Sequence, residues 1–345
     1  MNHIKILKRA LDITINYRAL WIFGMLLALT SGSGSGNGGG NSSSTNNNPD
    51  FNWQNPFGEF PHLSTHWANM WIGIAIGLAC LFLIVILIGS IARYVSETAL
   101  IRMVDEHENS GEQLTIRQGF RLGWSRAAWK MFLMDLLVGV SFVTIFILLL
   151  ALAALPLLVW LTENTPLQVV GTIVSAGSIL LLVFAAIVAA LAVTLIIIFA
   201  RRVCVLENLG VRASLRRGYE MVRQRLGDLV MMGVMMFGIG LLWFIVTIPV
   251  ILAIILVAAL VGGVPALLAG SVAGFFTQGT MPWIVAAIVG VPIFLIVVII
   301  PATLIGGWQK VFSSTSWTLT YREAVALEKI NVIDELPPSD SVVEA

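Results

Sequence analysis

The sequence predicts an all-α polytopic membrane protein, with six transmembrane helices arranged as three repeated helical hairpins, each preceded by an interfacial amphipathic helix. Three observations carry this. Charged residues make up 11% of a 345-residue chain that is 58% hydrophobic, whereas soluble domains carry about 25% charged residues. Leu229 to Gln309 contains no Asp, Glu, Lys or Arg, a run far longer than the roughly 20 apolar residues that one crossing needs. Finally, all 20 Lys and Arg fall into alternate segments between apolar runs, the pattern that sets membrane orientation.

The first span, Ala19 to Thr30, is short. It is expected to gain length from Ile13 to Arg18, with Arg18 snorkelling to the headgroups. Its basic start and the Ala28-Leu29-Thr30 ending also imitate a cleaved signal peptide. The long amphipathic leader favours retention. The glycine-, serine- and asparagine-rich tract that follows, 31–50, cannot bury enough apolar surface to offset ordering entropy and reads as a disordered outer loop.

The second span is Trp71 to Ile91, with Trp67 and Trp71 where an aromatic belt belongs. The third runs from Met131 to Leu161, and the fourth lies within Leu167 to Ala200 beyond a short link. Both exceed one crossing, so tilt or interfacial extension is expected. The fifth begins near Leu229 and the sixth ends near Ile305, with the turn between them in Gly262 to Pro282, where Gly and Pro accumulate.

The Lys and Arg lie before span one (Lys5 to Arg18), between spans two and three (Arg93 to Lys130), between four and five (Arg201 to Arg225), and after six (Lys310 to Lys329). The opposite loops have none, so both termini are expected in the cytoplasm, at a prokaryotic inner membrane.

Two cytoplasmic segments repeat one another: TIRQGFRLGWSR (Thr115 to Arg126) aligns with SLRRGYEMVRQR (Ser214 to Arg225). In the second, Leu215, Tyr219, Val222 and Leu226 form an apolar stripe opposite Arg216, Arg217, Glu220, Arg223 and Gln224. The N-terminus repeats this loosely, with Ile4, Leu7, Leu11 and Thr14 opposite Lys5, Lys8, Arg9, Asp12 and Asn16. LIGSIARYVS (Leu87 to Ser96) likewise resembles LIGGWQKVFS (Leu304 to Ser313). The expected organisation is hairpin unit 1 over 1–91, an amphipathic segment with unit 2 over 92–200, another with unit 3 over 201–309, and a cytoplasmic tail over 310–345.

The candidate chemistry is sparse. Asp135 is the acid well inside an apolar span, a functional candidate by default. Lys130, five residues earlier, offers a charged neighbour near the headgroups. His62 and His66 share a face if helical, the minimal geometry of a weak two-ligand metal site, although HLSTH lacks the Glu of the zinc-protease signature. Arg117, Arg121, Arg126, Arg216, Arg217 and Arg223 are candidates for anionic lipid headgroups. Cys80 and Cys204 lack ligand spacing. A net charge of +1 argues against nucleic acid as a partner, and no nucleophile elbow, phosphate loop or paired catalytic carboxylates are present.

The stretches VCVLENLGVRASLRRGYEMVRQR (Val203 to Arg225) and WTLTYREAVALEK (Trp317 to Lys329) resemble the membrane domain found in front of some bacterial glycerophosphodiester phosphodiesterases, and related six-span bacterial proteins. The resemblance implies the fold and an inner-membrane location. The enzyme's soluble barrel, with its catalytic Glu and His, has no counterpart after span six. The expectation is therefore a non-enzymatic scaffold or regulatory membrane module that engages anionic lipid and a protein partner in the membrane, with no cofactor. The alternative is a transporter or permease subunit for a hydrophobic or amphipathic solute, and a lipid-modifying enzyme is a third class.

Overall fold

The computed structural model describes residues 2–30, 65–161, 165–276 and 279–334, with side chains at 73 and over 76–159 in the second of these segments and up to 330 in the last. The tract expected to be a disordered loop, 31–50, lies outside them. The described residues form nine α-helices in the order α1 (His3–Asn16), α2 (Ala19–Thr30), α3 (Thr65–Ser110), α4 (Ile116–Gly123), α5 (Arg126–Ala154), α6 (Thr165–Leu206), α7 (Val211–Gln224), α8 (Leu226–Phe276) and α9 (Met281–Asp334). A 3₁₀ segment, Leu155–Leu161, extends α5, and Pro156 removes an amide that would continue the α-helical ladder. No strand occurs among the described residues.

Five of these helices, α3, α5, α6, α8 and α9, are long and apolar enough to cross a membrane, and the pair α1–α2 supplies a sixth candidate. The protein is thus an all-α, multi-pass membrane protein. The first span departs from expectation. Ile13 to Asn16 belong to α1, which meets α2 at 97°, so α2 does not lengthen through them. Tyr17 anchors this corner: its ring is buried and its hydroxyl donates to the Leu114 carbonyl at 3.0 Å.

The helices of the second, fourth and sixth expected spans continue past their apolar runs. α3, α6 and α9 run without a break through residues 91/92, 200/201 and 309/310, the expected unit boundaries. The presumed tail is mostly helix, and its Val311, Trp317, Leu319, Tyr321 and Ala324 are buried. The reason is visible in the core. Its centre is built from Ala99, Leu100, Met103 and Val104 of α3, Phe199 and Val203 of α6, and Val311 and Trp317 of α9, surrounded by α1, α2 and α7. The packed interior therefore lies at the basic end, while the mid-span surfaces face outward. Leu180 is 76% exposed and Phe184 70%, as a lipid-facing surface requires.

Each short helix docks on an exit extension: α4 on α3, α7 on α6, and α1 on α9. In α1 and α7 the docking faces share only Thr14 and Val222 with the expected stripes. In α7 the buried residues are Ser214, Gly218, Met221 and Val222, while Tyr219 and Leu226 are exposed. α4 buries Gly119 and Gly123 and exposes Ile116, Phe120 and Trp124. α1 buries Ile6, Ala10, Ile13 and Thr14 and exposes Ile4 and Leu11. Close approach selects small residues here. A Cβ on Gly218 would lie 2.9 Å from the Ala200 backbone nitrogen, and one on Gly119 2.4 Å from the Met103 sulfur.

α8 and α9 form the longest hairpin. At about 1.5 Å per residue α8 measures about 77 Å, more than twice a hydrocarbon core of about 30 Å, so tilt, interfacial stretches or projection must take up the excess. The expected turn over 262–282 narrows to the stretch between Phe276 and Met281, where Gly279 has φ 83°. The preceding glycines are instead a packing seam. A Cβ on Gly262 would meet the Gly290 carbonyl oxygen at 3.0 Å, and one on Gly290 the Ala266 Cβ at 2.5 Å. Small residues let membrane helices approach where no hydrophobic force draws them together.

Candidate functional site

Asp135 sits near the start of α5, one helical turn beyond the buried Met131. Its carboxylate accepts from Arg201 of α6 through both oxygens, Nε at 3.2 Å and Nη2 at 2.5 Å, and from the Tyr94 hydroxyl of α3 at 3.1 Å. The other Arg201 nitrogen, Nη1, reaches Glu97 of α3 at 2.7 Å. One guanidinium thus clamps two carboxylates from two other helices, with the three side chains only 13–18% exposed. A planar fork with five donors suits this bridging geometry.

Lys130 is not the neighbour of Asp135 that the five-residue spacing suggested. Its Nζ donates to the carbonyls of Asn208 and Leu209, at 3.0 and 3.2 Å. Arg102 reaches the same place, donating to the Asn208 side chain at 3.1 Å and the Val205 carbonyl at 3.4 Å. α6 ends here, with Asn208 in the left-handed region at φ 54°, which asparagine tolerates. The two cations cap the unpaired carbonyls and the negative pole of the helix.

Arg202, next to the clamp, is 4% exposed. It donates to backbone carbonyls, Ile198 at 2.5 Å and Ser314 at 3.4 Å, and its Nε has no partner among the described residues. It makes no ion pair among the described residues. Sequence reasoning missed Glu97, Arg201 and Arg202 because they were assigned to loops beyond the spans. The signal that would have found them is the repeated exit pattern, in which an apolar run closes on a basic residue at Arg93, Arg201 and Lys310.

The six headgroup candidates divide. Arg117, Arg121, Arg126 and Arg223 are exposed, and Arg216 pairs on the surface with Glu220 at 3.0 Å. On α4 they flank an exposed aromatic ledge in which Phe120 and Trp124 stack at 6.0 Å between centroids. Gln118 caps this helix by accepting from the Thr115 N–H at 2.8 Å. Arg217 is committed elsewhere: it donates twice to Glu328 of α9, at 2.9 and 2.7 Å. Burial opposes its charge, but the carboxylate more than offsets this and raises the pKa.

Further polar ties fasten the end of α9. Arg322 pairs with Asp105 and donates to Asn109 at 2.8 Å, and the Tyr321 hydroxyl donates to Glu207 at 2.6 Å. Among the two histidines expected as weak metal ligands, His62 lies outside the described residues, as does the side chain of His66.

A family model matches residues 11–315. The chain belongs to DUF7544, a family of unknown function. The matched DUF7544 region includes Asp135, Glu97, Arg201 and Arg202, every candidate arginine on α4 and α7, and the α9 exit through Thr315. No curated protein and no solved structure matches the chain.

Proposed function

We propose that this protein is a non-catalytic module of a prokaryotic inner membrane, with both termini in the cytoplasm, that holds anionic lipid along its basic rim and scaffolds or regulates a partner. One observation carries the reading. The three short helices have three faces, not two: a small-residue face packed on an exit helix, a charged face, and an exposed apolar face carrying Ile4 and Leu11, Ile116, Phe120 and Trp124, or Tyr219 and Leu226. Helices of this composition rest in the headgroup layer with the apolar face dipped into the acyl boundary. The adjacent arginines then meet lipid phosphates, each contributing about 1 kcal/mol.

Native mass spectrometry of the protein drawn from its own membrane in mild detergent tests the reading, and a stoichiometric protein partner is the expected result. A lone protein carrying a defined small solute would instead favour transport. The variant Arg117→Gln/Arg121→Gln/Arg126→Gln is expected to lose most of its preference for anionic over zwitterionic lipid. At about 1 kcal/mol per arginine, the loss in affinity at α4 should exceed about tenfold. Unchanged lipid adducts would count against the headgroup role of α4.

Orientation has its own test. In a Cys80→Ser/Cys204→Ser background, Ser42→Cys should react with a membrane-impermeant thiol reagent added to intact cells, whereas Ser341→Cys should react only after the membrane is opened. The reverse pattern would invert the topology.

A further inference from the structure

Where α3 and α9 leave their apolar runs, the first charged residues are Arg93 and Lys310, at matching places in LIGSIAR and LIGGWQK. The two helices pack together, and Lys310 is within electrostatic reach of both Arg93 and Glu97. Both cations are partly buried, and among the described residues neither makes an ion pair. Glu97, the carboxylate beside them, is already bound to Arg201 at 2.7 Å.

Arg202, nearly fully buried, donates to the Ser314 carbonyl of α9, one helical turn past Lys310, and to the Ile198 carbonyl, and among the described residues it has no carboxylate partner. The neighbourhood thus carries Arg93, Arg201, Arg202 and Lys310 against Glu97 and Asp135, an excess of two positive charges. Among the described residues it also holds donors without acceptors: Arg93 Nε, Arg202 Nε, and the buried hydroxyls of Ser314 and Thr315. Like charges gathered away from water repel strongly, and a buried charge without a partner is costly. An anion would remove both penalties.

We propose that Arg93 and Lys310, backed by Arg202, form a site for one phosphate group at the basic-end membrane boundary. It deepens the lipid-engaging reading and rests on it. Depth argues for the chemistry: the two cations close the apolar runs, which places them level with the phosphates of that leaflet. A phosphate carries one or two negative charges, which offset part or all of the excess, and it accepts charge-assisted hydrogen bonds from arginine and lysine. Lipid headgroups and free phosphate share this chemistry.

The full-length protein in mild detergent, titrated with phosphatidylglycerol and read by native mass spectrometry, should hold one lipid under activation that strips the others. Arg93→Gln/Lys310→Gln should bind that lipid at least tenfold more weakly, with an unaltered melting profile. Should the double variant fail to fold, Lys310→Gln replaces a partly exposed side chain and should weaken binding, while Lys310→Arg retains it. Inorganic phosphate, titrated calorimetrically into the protein in phosphatidylcholine nanodiscs, identifies the source. A one-to-one isotherm lost in the same variant assigns the site to free phosphate, and binding of phosphatidylglycerol alone assigns it to a headgroup.

Wild-type protein that holds neither anion one-to-one, or a variant that holds it as tightly as wild type, overturns the site. The α4 triple variant separates this outcome from failure of the broader reading. If that variant still sheds anionic lipid, rim binding stands and only the Arg93–Lys310 site falls. If it does not, both fall.

Discussion

Arg201→Met is expected to destabilise the protein by about 3–5 kcal/mol, the cost typical of stranding partners of a buried ion pair. The variant leaves two carboxylates, Glu97 and Asp135, facing one another across α3 and α5 with no cation between them, in a place only 13–18% exposed. Asp135→Asn should cost far less, about 1 kcal/mol, because the amide oxygen still accepts from Arg201 or Tyr94 and Glu97 keeps its 2.7 Å bond.

The triple replacement Glu97→Gln/Asp135→Asn/Arg201→Met should recover much of the loss, since it removes the stranded charges as well as the pair. Thermal and denaturant unfolding in mild detergent reads all three. Equal melting of Arg201→Met and wild type would mean that the clamp does not join the helices. The set also bears on transport. If solute flux were found and Asp135→Asn abolished it without loss of stability, the carboxylate would lie on a path and not merely in a joint.

Gly307→Leu should be nearly as damaging, by about 3 kcal/mol from forced separation of packed helices, and Gly24→Leu likewise. A Cβ on Gly307 would stand 2.7 Å from the Met25 backbone nitrogen, and one on Gly24 would stand 2.5 Å from the Gly307 carbonyl oxygen. Both obstacles include main-chain atoms, which cannot swing aside as a side-chain tip can. Gly238→Leu is the control, since nothing lies within 4 Å of its added Cβ.

The expected consequence is release of α2 from α9, read as a lower melting temperature and faster proteolysis near residue 30. The intact mass of purified wild-type protein should correspond to the whole 37.4 kDa chain, because α2 fills a place in the core with Leu20, Phe23 and Leu27. A mass lacking the first 30 residues would show that the segment is removed and that this packing is not used.

The helices themselves were legible because their signals are local. Hydropathy over about 20 residues marks a span wherever it occurs, and the charge-free run after Leu229 could hold nothing else. α1 and α7 were legible as amphipathic, yet the face that packs agreed with the expected stripe only at Thr14 and Val222. Large apolar residues such as Tyr219 and Leu11 look like core by periodicity, but here they face outward. Gly119 and Gly218 carry almost no hydrophobic signal and stand where a Cβ would collide with the neighbouring helix.

Asp135 stood out as a lone intramembrane acid, but its partners did not. Glu97 and Arg201 are far away in the chain, and an i, i+5 lysine was the nearer explanation. Lys130 turned out to serve the end of α6, a helix terminus whose position depends on how far α6 continues past its apolar run.

By itself the sequence determined the class of protein, the order of its five long spans, and the gathering of cations into alternate segments, since each follows from transfer of short stretches of chain between water and lipid. The tertiary structure alone decided that the exit helices continue into a shared core, that small residues stand at the closest points of the docking faces, and that Asp135 and Glu97 share one arginine while Arg202 has no carboxylate partner among the described residues. Those outcomes depend on distances between residues far apart in the chain, and in a folded chain such distances are set by packing, which local periodicity does not encode.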